Sequence, residues 1–198
     1  MKCLITGCSG FLGRELTKKL LNEGYEVIGI ARNEGNLINY QHLFPEVKII
    51  SGDINDEWNI RKAMKGVEGV FHLAAYKHVG MAEKEPLQCI KSNVLGSIQV
   101  IKASIREKPR FVIGISTDKA AHVSGVYGAT KFLMEKLFLE AESINTHTQY
   151  RIVRFGNILC STGSVICNWK NDILAGNQIE ITDPEATRFF LRLMMLST

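Results

Sequence analysis

Short, nearly unbroken apolar runs alternate along this chain with longer stretches in which apolar residues recur every three to four positions. The runs at 2–6, 25–30, 47–50, 69–73, 111–115 and 150–155 do not alternate between apolar and polar residues as a half-exposed strand would. They predict strands covered on both faces. The stretches at 11–22, 56–64, 86–106 and 127–143 carry the helical period and predict amphipathic helices. Such a β–α–β–α rhythm predicts a parallel sheet with right-handed crossovers, so the expected fold class is α/β. From about Gly163 the rhythm changes to a helix at 165–175, a short strand at 178–182 and an apolar run at 189–196. We therefore expect one α/β domain over 1–162 and the opening of a smaller, truncated lobe over 163–198.

Composition narrows the function classes. A chain of 198 residues can bury one good core but hardly two. Its formal net charge of +4 comes from scattered Lys and Arg residues, without the clustering a nucleic-acid footprint needs. No stretch approaches the ~18 apolar residues of a membrane span, and the apolar start breaks at glycines before it could serve as a leader. Five cysteines (Cys3, Cys8, Cys89, Cys160 and Cys167) show no CxxC spacing. An odd, unpatterned set argues against a disulfide framework or a zinc site and fits free thiols in a cytoplasmic protein. The histidines never fall into ligand spacing with acidic residues, so no metal is expected.

The first chemical signal is TGCSGFLG, which follows the first strand and opens the first helix. In that context Gly7, Gly10 and Gly13 supply a tight turn, a close backbone approach to pyrophosphate and close helix–strand packing. The helix N-terminus then offers free N–H groups to the anion. This makes the sheet Rossmann-like and doubly wound. At the end of the second strand, Ala31 stands where an NAD-preferring fold usually has an acidic residue, and Arg32 follows. An Arg there suits the 2′-phosphate of NADP, or it is a solvated surface residue. Asp53, after the third strand, is placed to meet the adenine amine.

The second signal is STDKAAHVSGVYGATK, at 116–131. Tyr127 and Lys131 are one helical turn apart and share a face. Ionising a tyrosine near neutral pH costs roughly 4 kcal/mol. A neighbouring ammonium offsets part of that cost, and an oxidised nicotinamide more. The pair is thus a device for making a phenolate base. Asp118 and Lys119, just upstream, add a second acid and base, or else form a structural ion pair.

With these motifs the chain resembles the extended short-chain dehydrogenase/reductase family. Within it, HLAAYKHVGMAEKEPLQCIKSNVLGS, STDKAAHVSGVYGATK, VRFGNILCSTGSV and ITDPEATRFF resemble the inverting UDP-N-acetylglucosamine 4,6-dehydratases. The resemblance implies that Tyr127 takes the proton of the sugar 4-hydroxyl as hydride passes to NADP (NAD less favoured). Thr117 would hydrogen-bond the 4-oxygen, Lys119 would remove the carbon-5 proton and Asp118 would protonate the departing 6-hydroxyl. Lys131 would hold the nicotinamide ribose. Ser9, Phe11, Leu12, Ile54, Leu73 and Lys77 join the glycines, Arg32 and Asp53 as implied cofactor contacts. Lys77, Asn157, Gly163, Ser164, Val165 and Arg188 are implied contacts to the UDP-sugar. A homo-oligomer formed through helices 86–106 and 127–143 is implied too. Three departures stand out: Cys160 and Thr162 replace a usual Gly and Arg, Gly80 replaces a common Pro, and relatives run on for roughly a hundred residues or more. An epimerase of the same family and a non-catalytic dinucleotide-binding protein are the alternatives.

Overall fold

Six strands lie in the order β3-β2-β1-β4-β5-β6. They are β1 (Lys2–Thr6), β2 (Glu26–Ala31), β3 (Lys48–Ser51), β4 (Gly69–His72), β5 (Phe111–Thr117) and β6 (Gln149–Phe155). This is the doubly wound order, with its switch point between β1 and β4, where crevices for ligands open at the strands' carboxyl ends. Both neighbours of β1 run parallel to it, with Thr6 level with Ile30 on one side and His72 on the other. The computed structural model describes residues 1–159, 161, 163–179, 181 and 183–191.

Each sheet face has its own core, as the unbroken apolar runs require. Leu4, Ile28, Ile30, Val70 and Val112 pack with Ile60, Met64, Val100, Met134 and Phe138 in one cluster. Cys3, Ile5 and Val27 pack with Leu20, Leu37 and Tyr40 in the other. Successive residues of β1 thus serve opposite cores. The helices are α1 (Phe11–Asn22), α2 (Glu34–Leu43), α3 (Glu57–Met64), α4 (Val79–Lys84), α5 (Pro86–Ile90), α6 (Gly96–Glu107), α7 (Val126–Ile144) and α8 (Val165–Leu174).

Helix α2 has no counterpart in the apolar pattern, because it buries only Leu37 and Tyr40. Its start was nonetheless written locally: the Asn33 side chain accepts from the Asn36 N–H at 2.8 Å. The segment expected as one helix over 86–106 is interrupted by a π-turn at Lys91–Leu95, which buries Ser92 and Asn93. Just past it, Gly96 lets the helix close on Ile54: a Cβ there would meet Ile54 Cδ1 at 2.5 Å. The chain divides into two units, Met1–Arg154 and Phe155–Thr198. In the second, β7 (Asn157–Ile158) pairs in parallel with β8 (Phe190–Leu191), and α8 buries none of its residues. The strand expected at 178–182 lies partly outside the described residues, and residues 178, 179 and 181 have no regular structure. Cys160, Thr162 and the run from 192 lie outside them as well.

Candidate active site

The turn after β1 is made by backbone. Gly7 sits at φ 71°, and its N–H donates to Ile30 O at 2.8 Å. A Cβ at Gly7 would meet Ala74 backbone at 2.9 Å, and one at Gly13 would meet Cys8 O at 2.4 Å. Gly10, by contrast, is exposed and begins α1 with no side-chain cap and no acidic residue in the first turn. The inner glycines therefore lock the turn, while the outer one leaves the uncapped N–H groups of α1 open. That is what an anion such as a dinucleotide pyrophosphate needs. Ser9, Phe11 and Leu12 lie partly exposed along the turn. Leu73 joins it through its N–H to Thr6 O at 3.2 Å.

At the ends of β2 and β3, Arg32 and Asp53 are ion-paired at 3.6 Å. The sequence gives them separate tasks, but the fold makes them one unit. Burial pushes the Asp53 carboxyl up, yet hydrogen bonds from Asn55 and the Arg32 charge outweigh it, and the net direction is down. An Arg32 that reads a 2′-phosphate must do so beside this carboxylate. Ile54, next in line, is buried against α6.

The second centre lies where β5 meets α7. The Thr117 hydroxyl donates to Asp118 Oδ1 at 2.9 Å, and Lys119 Nζ donates to the same oxygen at 3.1 Å. The Asp118 and Lys119 side chains are each 39% exposed, so the pair is open to an incoming ligand. Desolvation raises the Asp118 carboxyl, but hydrogen bonds from Lys119 and Thr117 hold it below the ordinary range. Without substrate it is a carboxylate.

Tyr127 stands near the start of α7. Burial, the largest influence, pushes its phenol above the ordinary value, while hydrogen bonding with Thr117 pulls it down by less. The Lys131 ammonium donates to Ile115 O at 2.7 Å. Being buried, Lys131 is itself lowered to about 8. Protein alone therefore does not make the phenolate; a further positive charge beside Tyr127 is needed.

Sequence reasoning missed the supports. Helix α7 has no cap of its own at Gly125, and Glu83 of α4 accepts from the Val126 N–H at 2.7 Å instead. Asn93 grips residue 76 from both sides: the Tyr76 N–H donates to its Oδ1 at 2.7 Å, and its Nδ2 donates to Tyr76 O at 3.0 Å. This fixes the loop that carries Lys77, whose ammonium is lowered by desolvation. Asn93 Nδ2 also reaches Thr130 Oγ1 at 3.0 Å, on the turn of α7 that follows Tyr127.

Buried His72 connects the two centres. Its Nδ1 lies 2.8 Å from Thr6 Oγ1, and its Nε2 lies 3.1 Å from Ser97 Oγ. Ser97 commits its proton to Asn93 O at 2.7 Å, so Nε2 must carry the ring proton and donate. Polar residues inside otherwise apolar runs were the available signal for His72 and Asn93.

The remaining expected contacts belong to the second unit. Asn157 is in β7, and Gly163 turns the chain at φ 73°. Ser164 caps α8 by accepting from the Cys167 N–H at 3.5 Å, and Val165 begins that helix. Arg188 donates to Thr187 O at 2.7 Å.

Strand order, glycine turn and Tyr–Lys helix together define a Rossmann-like α/β protein of the short-chain dehydrogenase/reductase type. More specifically, the chain belongs to the polysaccharide biosynthesis protein family, whose model matches residues 3–196. It is 38% identical over 198 residues to a UDP-N-acetylglucosamine 4,6-dehydratase (inverting) of Campylobacter jejuni, covering 96% of this chain and 59% of that protein. A UDP-glucose 4-epimerase of Rickettsia massiliae is 36% identical over 200 residues, with coverages of 96% and 59%. Among solved structures, Pen from Bacillus thuringiensis matches with a TM-score of 0.94 at 33% identity, over 96% of this chain and 63% of that one. The chain thus spans about three-fifths of the length of these relatives.

Proposed function

We propose that this chain carries the reacting groups of an NADP-dependent nucleotide-sugar 4,6-dehydratase that acts on UDP-N-acetylglucosamine and inverts carbon 5. One observation carries the reading: Asp118 and Lys119 stand as an open acid–base pair on the residue that also serves Tyr127, namely Thr117. A dehydrogenase or epimerase needs only the phenol and its lysine, whereas loss of water needs one more base and one more acid. The dehydratase relative supports the same reading.

The cradle of Gly7, Gly10 and Gly13, with Arg32 and Asp53, would hold the dinucleotide. Its nicotinamide supplies the means of taking up a hydride from a sugar carbon and returning it. Tyr127 takes the proton of the 4-hydroxyl, and Thr117 steadies that oxygen. Ketone character at carbon 4 acidifies the carbon-5 proton, which Lys119 removes. The proton that Lys119 shares with Asp118 passes to the carboxylate, which leaves Lys119 a neutral amine able to take the carbon-5 proton. Asp118 then gives the proton it gained to the departing 6-hydroxyl, so that water leaves. Lys77 is positioned by Asn93 for the cofactor–sugar boundary. Asn157, Gly163, Ser164, Val165 and Arg188 of the second unit are the proposed UDP-sugar contacts.

A second copy of the chain is the proposed partner. The support is a shallow apolar groove between α6 and α7 lined by Ile98, Ile101, Leu137 and Ile144, and mass in solution tests it. Buried free thiols at Cys3, Cys8 and Cys89 suit the cytoplasm. Among the described residues, no helix is long and apolar enough to cross a membrane.

Incubation with UDP-N-acetylglucosamine and NADP should yield a 4-keto-6-deoxy sugar, with the product lost in Lys119→Ala. Equal behaviour of the variant and the parent overturns the assignment. The epimerase relative favours a second reading, inversion at carbon 4 without loss of water. NMR of the product distinguishes the two.

A further inference from the structure

Glu135 lies one turn beyond Lys131 on α7 and is only 5% exposed. It belongs to neither the glycine cradle nor the acid–base pair. Its Oε1 accepts from the Ser116 hydroxyl on β5 and from Arg154 Nε on β6 at 2.7 Å. Its Oε2 accepts from Arg154 Nη2. Lys131, one turn earlier, and Lys136, next in the chain, are the other cations on its own helix. A buried carboxylate without a partner would take up a proton; the two-pronged guanidinium keeps this one charged and acceptor-only. The Ser116 hydroxyl must therefore donate to it, which fixes the Ser116 rotamer.

The neighbouring tie has the same direction. Ile115 O accepts from Lys131 Nζ at 2.7 Å, so the two residues preceding Thr117 are both fastened to α7. Thr117 follows immediately: its hydroxyl donates to Asp118 Oδ1 at 2.9 Å, and its influence on the Tyr127 phenol is to lower it.

We infer that Glu135 is a positioning residue: through Ser116 it sets the end of β5 against α7, and so holds Thr117 in register with Tyr127. This rests on the dehydratase reading for its catalytic consequence, but not for its geometry.

The test uses the whole chain in four forms: parent, Glu135→Gln, Glu135→Ala and Ser116→Ala. Gln keeps the oxygen that both Ser116 and Arg154 Nε address. The Tyr127 ring carbon bearing the hydroxyl is followed by ¹³C NMR at fixed pH without dinucleotide, and assigned by its loss in Tyr127→Phe. Ser116→Ala and Glu135→Ala should move this resonance, Glu135→Gln should leave it near the parent position, and in a Thr117→Ala background the movement should vanish. In turnover, Glu135→Ala should lose about 10- to 100-fold in kcat with little change in KM, as for a slight misplacement of reacting groups, and Glu135→Gln should recover most of it.

An unmoved resonance in folded Glu135→Ala or Ser116→Ala overturns the inference, as does a Glu135→Gln form as impaired as Glu135→Ala. Ser116→Ala keeps the test open if Glu135→Ala does not fold. Absence of product from the parent would overturn the functional reading instead, leaving the resonance to decide on Glu135.

Discussion

Two corners at the carboxyl edge of the sheet are built by opposite means. After β1, the cradle is backbone: a positive-φ glycine, a carbonyl of β2 and a helix start that nothing caps. At the end of β5, the corner is side chains: Thr117, Asp118 and Lys119 bonded to one another, with Tyr127 and Lys131 arriving from α7. The first is rigid before any ligand arrives. The second satisfies itself, so a substrate must trade for its hydrogen bonds. Asp118 is a carboxylate and Tyr127 a protonated phenol until charge is added, which places the switch for chemistry at the side-chain corner.

Breaking the side-chain corner should have the largest effect. Tyr127→Phe should lower formation of the 4-keto-6-deoxy sugar by about 10²- to 10⁴-fold, the usual contribution of a positioned base. Dinucleotide affinity, measured by titration calorimetry, should change little if the cradle binds independently. Breaking the cradle should do the reverse. Gly13→Ala forces a methyl group to 2.4 Å from Cys8 O, which should cost about 1–3 kcal/mol of stability and weaken the dinucleotide.

His72 tests the link between the corners. Burial, and next the Lys131 charge, lower its imidazole from 6.5 to about 3. Below pH 6.5 an unfolded chain takes up a proton that the folded one refuses, so stability falls as pH drops through this window. The loss by about pH 5 is roughly 2 kcal/mol. Denaturant midpoints against pH should show this slope, and His72→Gln should flatten it. The smallest effect belongs to Arg32→Ala. Arg32 is largely exposed and already paired with Asp53, so the preference for NADP over NAD should fall only about fivefold.

The two corners were also unequally legible. A backbone cradle must be written in glycines, and the spacing of Gly7, Gly10 and Gly13 sits between a strand and a helix where any reader meets it. Tyr127 and Lys131 could be paired because they share one helix. Their supports come from elsewhere: Glu83 reaches Val126 from α4, Asn93 reaches Thr130 from the π-turn, and Arg154 reaches Glu135 from β6. Such contacts have no local period. The inner strands were read almost residue for residue because burial on both faces leaves them nearly uniformly apolar; β6, with Arg151 and Arg154, buries only Tyr150 fully. Helix α2 escaped because two buried side chains do not make a stripe.

The central claim is that the side-chain corner removes water from a hexose. Running the reaction in D₂O with UDP-N-acetylglucosamine and NADP tests it most directly. The account predicts a 4-keto-6-deoxy product with deuterium at carbon 5 and the former carbon-4 hydrogen at carbon 6, and none from Lys119→Ala. A carbon-4 epimer without deuterium at carbon 5, or an unchanged yield from Lys119→Ala, would contradict it.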